Sequence, residues 1–163
     1  MDTLSSTFVS NFLVGGAVNS LPVVAAAFLL SRFGRDILGR AVLAFFLCAA
    51  GAMYVVFAVG AGAGTGWTLV ELAQVLVLGT MALLGLRRSP YWLAAGWAIH
   101  PFWGVLLHLV GPGNHFAPAS YAISCITWDW VVALYIVAAY RPGGQARFRF
   151  RRSAPEAGAA LPA

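Results

Sequence analysis

Five apolar segments, each long enough to cross a bilayer once, constrain what this chain can fold into. A transmembrane helix needs roughly 20 mostly apolar residues, and five windows qualify, at about residues 8–30, 41–60, 67–86, 91–110 and 119–140. Of the 163 residues, 61% are hydrophobic and 9% are charged, whereas a soluble domain carries about 25% charged residues. The sequence therefore predicts an all-α, polytopic bundle of five transmembrane helices within residues 1–140.

The basic residues cluster at alternate ends of the predicted helices. All ten are arginines: Arg32, Arg35 and Arg40 after the first window, Arg87 and Arg88 between the third and fourth, and Arg141, Arg147, Arg149, Arg151 and Arg152 after the fifth. Because basic loops stay in the cytoplasm, this alternation predicts an N-terminus outside and a cytoplasmic C-terminus in the cytoplasmic (inner) membrane.

Residues 141–163 are rich in arginine, glycine, proline and alanine, a composition that cannot bury enough apolar surface to fold. We expect a disordered, basic cytoplasmic tail. Each arginine near an anionic leaflet contributes about 1 kcal/mol of attraction. The segment RFRFRR is therefore expected to contact anionic lipid headgroups, and the pI of 9.9 does not indicate nucleic-acid binding.

Four ionisable residues lie inside the windows: Glu71, His100, His108 and Asp129. Such groups cost about 2.5–3.5 kcal/mol each on insertion scales, so they usually face the protein interior and often mark function. Counting 1.5 Å per residue from the cytoplasmic ends places them at depths of roughly 14–26 Å. The polar groups therefore occupy the middle and outer half of the membrane.

Residues four apart share one face of a helix. The last two helices therefore present two stripes: His100, Gly104 and His108 on the fourth, and Tyr121, Cys125 and Asp129 on the fifth. Matching them by depth pairs His100 with Asp129, and also pairs Gly104 with Cys125 and His108 with Tyr121. The predicted His100–Asp129 contact would explain why a histidine is tolerated there.

Pro101 interrupts the fourth helix beside His100 and predicts a kink, because proline removes one backbone donor. A polar pocket between the third, fourth and fifth helices is expected there. Its further lining residues are Asn19, Gln74, Trp103, Tyr121, Cys125 and Trp128.

Three functions are compatible with this pocket, and the sequence favours the first, with the other two as alternatives. In the first, the polar groups hold the helices together by hydrogen bonds, as in a structural or accessory membrane protein. In the second, His100, His108 and Asp129 bind a divalent metal ion, or act with Glu71 as catalytic acids and bases. In the third, the same groups form a path for protons or a small solute.

The cysteines and the small residues predict further contacts. Cys48 and Cys125 differ in depth by roughly 12 Å, whereas a disulfide needs Cα atoms within about 7 Å, so both are expected to be free. Gly15, Gly16, Ala95 and Gly96 suit close helix packing, within the chain or in a homo-oligomer or membrane complex.

The last two helices contain the patterns GWxxHxxWxxxxH, from Gly96 to His108, and YxxxCxxxD, from Tyr121 to Asp129. In these patterns the chain resembles a family of small bacterial and fungal integral membrane proteins known only as a domain of unknown function. In that family an acid commonly follows the tryptophan matched by Trp103, whereas this chain has Gly104. The resemblance implies a polar intramembrane site with one carboxylate fewer, and it implies no particular reaction.

Reporter fusions test the predicted orientation. Green fluorescent protein placed after Ala163 is expected to fluoresce, and alkaline phosphatase at the same position is expected to be inactive, because that end lies in the cytoplasm. Fusions after Gly62, in the predicted outer connection, should behave in the opposite way. Active alkaline phosphatase after Ala163 would contradict the orientation.

Overall fold

The structure, a computed structural model, describes residues 5–33 and 35–141, and within these ranges it contains helices and no strands. Five α-helices follow one another: α1 Ser6–Phe33, α2 Asp36–Gly60, α3 Thr65–Arg87, α4 Pro90–Trp103 and α5 Ala119–Tyr140. The chain continues from α4 into a π-helical segment, Gly104–Leu109, and then a short 3₁₀ helix, Pro112–His115. The predicted all-helical class is confirmed, and the predicted disordered tail lies outside the described residues.

Among the described helices, α1, α2, α3 and α5 are each long and apolar enough to cross a membrane. The α-helical part of the fourth window is shorter, with 14 residues. The helical stretch continues past Trp103, because the π-helical segment adds six residues to α4. Residues 90–109 therefore form one continuous helical stretch.

The helices form a closed ring. Each packs against its neighbour in sequence, α5 packs back against α1, and α2 also contacts α4 across the middle. Short connections make sequence neighbours antiparallel, so one end of the bundle carries the α1–α2 and α3–α4 connections with all the described arginines. We call this the arginine end. The opposite end, which we call the loop end, holds residues 61–64 and 110–118.

The half of the bundle nearer the arginine end is packed with apolar side chains. Its buried core includes Leu43, Leu47, Leu78, Leu93, Val132 and Ile136. Polar contacts then close the arginine end: Asp36 pairs with Arg40 at 2.9 Å, and the Tyr140 hydroxyl donates to Asp36 at 2.6 Å. The candidate polar residues consequently lie above this core, toward the loop end.

Small residues allow close approach of the helices, as expected in a membrane, where packing and hydrogen bonds drive helix association. A Cβ at Gly16 would collide with the Ser124 backbone carbonyl of α5, and the Thr127 hydroxyl of α5 donates to the Leu13 carbonyl of α1 at 2.5 Å. Gly96 likewise packs against Leu47 of α2. Gly15, in contrast, faces open space, so among these glycines Gly16 and Gly96 make helix contacts within the chain.

Gly15 and Gly16 provide a matched test of the α1–α5 packing. Gly16→Ala is expected to lower the free energy of unfolding by about 1–3 kcal/mol, because the added methyl group overpacks a backbone contact. Gly15→Ala should be neutral or stabilising by up to about 1 kcal/mol, through helix propensity alone. Thermal unfolding in detergent measures both, and equal effects of the two substitutions would contradict the packing.

Candidate functional site

The fourth helical stretch changes type inside the polar region. Pro101 lacks a backbone N–H, and from Gly104 the chain continues as a π-helix, a form that often occurs at functional sites. His100 and His108 would differ by about 80° around an α-helix. Because a π-helix has more residues per turn, the π-helical segment reduces that offset. Both histidines are buried and contact the Tyr54 ring, with centroids 5.8 Å and 4.3 Å away.

His100, Cys125 and Asp129 form the centre of the site. His100 Nδ1 lies 2.7 Å from Asp129 Oδ2, with both side chains fully buried between α4 and α5. Cys125 is one turn before Asp129 on α5, and one possible ligand atom from each of the three residues lies within 4.8 Å of the others. The contact predicted between His100 and Asp129 is present.

The protonation of this centre follows from its geometry. With Asp129 ionised, its oxygen accepts, so His100 Nδ1 carries the hydrogen and Nε2 keeps its lone pair. His100 Nε2 and Asp129 Oδ1 are both buried and have no hydrogen-bond partner among the described residues. Each member of the pair therefore retains one free atom that could bind a metal ion or a ligand.

A second group lies nearer the loop end, around His108. His108 Nε2 lies 3.3 Å from Glu71 Oε1 of α3, although the two atoms are not aligned as a hydrogen bond. The Trp103 indole donates to Glu71 Oε2 at 3.0 Å. This group ties α3 to the fourth helical stretch.

His108 also approaches the connection after the π-helical segment. Its Nδ1 lies 3.4 Å from the Gly113 carbonyl, which can only accept. The His108 ring therefore lies between the Glu71 carboxylate on one side and a backbone carbonyl on the other.

Tyr54 is a site residue that the sequence interpretation missed. Its side chain is fully buried in α2, its ring stacks on His108 at an interplanar angle of 15°, and its hydroxyl has no partner among the described residues. Its position was a usable signal, since Tyr54 lies inside a span, six residues before the end of α2, rather than at the interface. The site therefore involves α2 as well as the predicted α3, α4 and α5.

Other unpartnered polar atoms belong to the same helices. Both amide atoms of Gln74, one turn from Glu71, are buried without a hydrogen bond among the described residues. The same holds for the indole nitrogen of Trp97, one turn before His100. Buried polar groups in native proteins normally have partners, so their number here is unusual.

The remaining predicted residues line a separate groove. It has a volume of about 370 Å³ and lies between α1, α2 and α5. Asn19, Tyr121, Ser124, Cys125 and Trp128 are among its lining residues. Cys125 belongs both to this groove and to the group with His100 and Asp129. The single pocket predicted from the sequence therefore corresponds to two features in the structure: the buried group with His100 and Asp129, and the groove. Cys125 connects them.

Two predicted pairings are replaced by other contacts. Gly104 approaches Tyr54 of α2 and Ala122 of α5 rather than Cys125. The rings of His108 and Tyr121 each contact Tyr54, and the Tyr121 hydroxyl donates to the Ala50 carbonyl at 2.8 Å. Of the three predicted metal-ligand candidates, His100 and Asp129 group with Cys125, and His108 lies against Glu71. Both cysteines are free, as predicted.

Comparison with known families finds one match. Residues 15–142 match a family of unknown function, DUF6010, so the chain belongs to that family. The match starts within α1 and ends just after α5, and so includes more than the last two helices. No curated protein and no solved structure matches the chain.

The His100–Asp129 contact predicts a compensating pair of substitutions. Asp129→Leu is expected to reduce the free energy of unfolding by about 1–3 kcal/mol, because it leaves the His100 N–H buried without a partner. Adding His100→Leu should recover part of that loss. Thermal unfolding in chelator-treated detergent measures the coupling, and strictly additive losses would contradict it.

Proposed function

We propose that this protein binds a divalent metal ion within the membrane, at His100, Cys125 and Asp129. The observation that carries the proposal is the convergence of these three buried side chains, whose ligand atoms lie within 4.8 Å of one another. Imidazole nitrogen, thiolate sulfur and carboxylate oxygen are the ligand types that zinc prefers. The proposal names Zn²⁺ or a neighbouring first-row transition-metal ion.

The unpartnered atoms support this reading. His100 Nε2 and Asp129 Oδ1 have unused capacity in a fully buried location. Ligand atoms lie about 2.0–2.3 Å from a zinc ion, so binding would draw the three side chains slightly inward. Asp129 could also act without direct ligation, because a carboxylate on Nδ1 orients a histidine that binds metal through Nε2.

Three protein ligands would leave one tetrahedral position open, which is the arrangement of catalytic rather than structural zinc sites. His108 and Glu71, whose Nε2 and Oε1 atoms lie 3.3 Å apart, are on the loop-end side of this centre, and Tyr54 contacts both histidine rings. An ion with an open position beside an imidazole and a carboxylate suits acid–base chemistry on a bound molecule. The proposed protein is therefore a membrane-embedded metal-binding enzyme.

A structural or accessory role is the second candidate, and hydrogen bonds between helices favour it. The His100–Asp129, Trp103–Glu71 and Tyr121–Ala50 contacts each join two helices. This role explains the bonds that are made, but it gives no reason for burying so many polar atoms without partners. A transport path has less support, because the described core toward the arginine end is apolar.

The proposed membrane arrangement has five crossings, with residues 90–109 as the fourth. An outside N-terminus would place the arginine end in the cytoplasm, against the anionic headgroups of the inner membrane. The candidate site would then lie in the outer half. Grouping of all described arginines at one end of the bundle supports this arrangement.

Metal analysis of the purified protein tests the proposed function. Wild-type protein is expected to contain about one transition-metal ion per chain by plasma mass spectrometry, because three buried ligands converge. Cys125→Ser should lose most of that ion, because an alcohol replaces the thiolate that binds zinc. His100→Ala should lose it as well.

The second cysteine supplies the matched control. Cys48→Ser makes the same chemical change on α2, away from the three ligands, and should retain the ion. Normal folding of each variant is verified by circular dichroism. Wild-type protein without a stoichiometric ion, even after incubation with Zn²⁺, would favour the structural role.

A further inference from the structure

The groove between α1, α2 and α5 contains a polar group that no part of the described chain satisfies. Asn19 lies near the middle of α1, roughly 20 Å from either end of the helix. Its side chain is exposed and forms no hydrogen bond with the described residues. In a bilayer this exposed face lies in hydrocarbon, where an unpaired amide is costly. The groove therefore needs a polar partner at mid-membrane depth.

The groove offers several hydrogen-bond donors. The Asn19 amide has two N–H groups beside its carbonyl oxygen, and the indole of Trp128, which can only donate, forms no hydrogen bond with the described residues. Ser124 and Cys125 add a hydroxyl and a thiol, and most of the other lining residues are apolar or aromatic, including Phe46, Ala49 and Met53. A molecule with an apolar body and an acceptor oxygen complements this surface.

Depth and charge restrict the molecule further. No lining residue carries a charge, so the groove offers nothing to a phosphate. The charged headgroup of a phospholipid stays at the interface, whereas Asn19 lies near the midplane. The partner must be able to enter the hydrocarbon entirely. A volume of about 370 Å³ is within the range of small-molecule sites, about 300–1,000 Å³.

We infer that this groove binds an uncharged carbonyl compound that is dissolved in the membrane and enters sideways from the lipid. Its carbonyl oxygen accepts from the Asn19 amide, and its apolar chain lies along Phe46 and Met53. Cys125 lines the groove and also belongs to the candidate metal centre. The inference thereby names the substrate class of that centre, and it rests on the proposed function for this last step.

Photolabelling in nanodiscs tests the inference. The probes are a long-chain dialkyl ketone with a diazirine in its chain and a matched diazirine alkane without the carbonyl. Full-length protein in phosphatidylcholine nanodiscs is labelled with each, and the labelled peptides are identified by mass spectrometry. We expect the ketone to label groove residues such as Met53 more than the alkane does.

Asn19→Leu is expected to reduce ketone labelling of the groove about 3- to 10-fold, the range that one hydrogen bond supplies, and to leave alkane labelling unchanged. The matched control is Asn11→Leu, the same substitution at an exposed position of α1 outside the groove lining. It should leave ketone labelling unchanged. Equal ketone labelling of wild type and Asn19→Leu would overturn the inference.

A second copy of the chain on this face would give a different result. An Asn19→Cys variant would then form disulfide-linked dimers in the membrane, and ketone labelling would not depend on Asn19. That result also overturns the inference. Metal content of the same samples separates the two proposals. If Asn19→Leu keeps its metal ion but is no longer labelled by the ketone, both proposals are supported. If wild-type protein is labelled by the ketone but never binds metal, the groove proposal is supported and the metal-centre proposal is rejected.

Discussion

The buried contact between His100 and Asp129 is the interaction on which the candidate site depends. In hydrocarbon, either side chain without the other would be costly to bury. Their 2.7 Å contact fixes the register of α4 against α5. With Asp129 ionised, the contact also places a hydrogen on His100 Nδ1, and Nε2 has no partner among the described residues. One contact therefore bears both on the placement of two helices and on the free nitrogen at the centre of the site.

The backbone of the fourth helical stretch extends this contact to a second histidine. Pro101 and the π-helical segment alter the turn between His100 and His108, and both rings reach Tyr54 of α2. Gly104 makes this possible, because a Cβ there would collide with the Tyr54 hydroxyl. Gly104 thus admits a tyrosine hydroxyl from α2 next to the fourth helical stretch.

Much of the fold could be predicted from the sequence, because span length and charge are properties of single segments. The His100–Asp129 contact was predictable as well, since two antiparallel neighbours with stripes at matching depth have few alternatives. Contacts that involve a third helix could not be predicted from the sequence in this way. The depth of Asn19 in the membrane matches that of the predicted pocket. Depth alone does not determine how α1 is rotated about its axis, because apolar residues surround Asn19 on that helix. The π-helical segment shifted the facing of Gly104 and His108, which an α-helical spacing rule cannot anticipate.

The distribution of polarity along the bundle connects the two proposals. Toward the arginine end the core is apolar and closely packed, so a polar molecule has no route to the site from that side within the described residues. Toward the loop end, Phe116 and Ala117 are buried against Tyr54 and Ala58. Cys125 is the residue at which the buried centre meets a groove that faces the lipid. A molecule already dissolved in the bilayer could therefore reach this centre without opening either end, which makes an intramembrane position for the reactive groups physically reasonable.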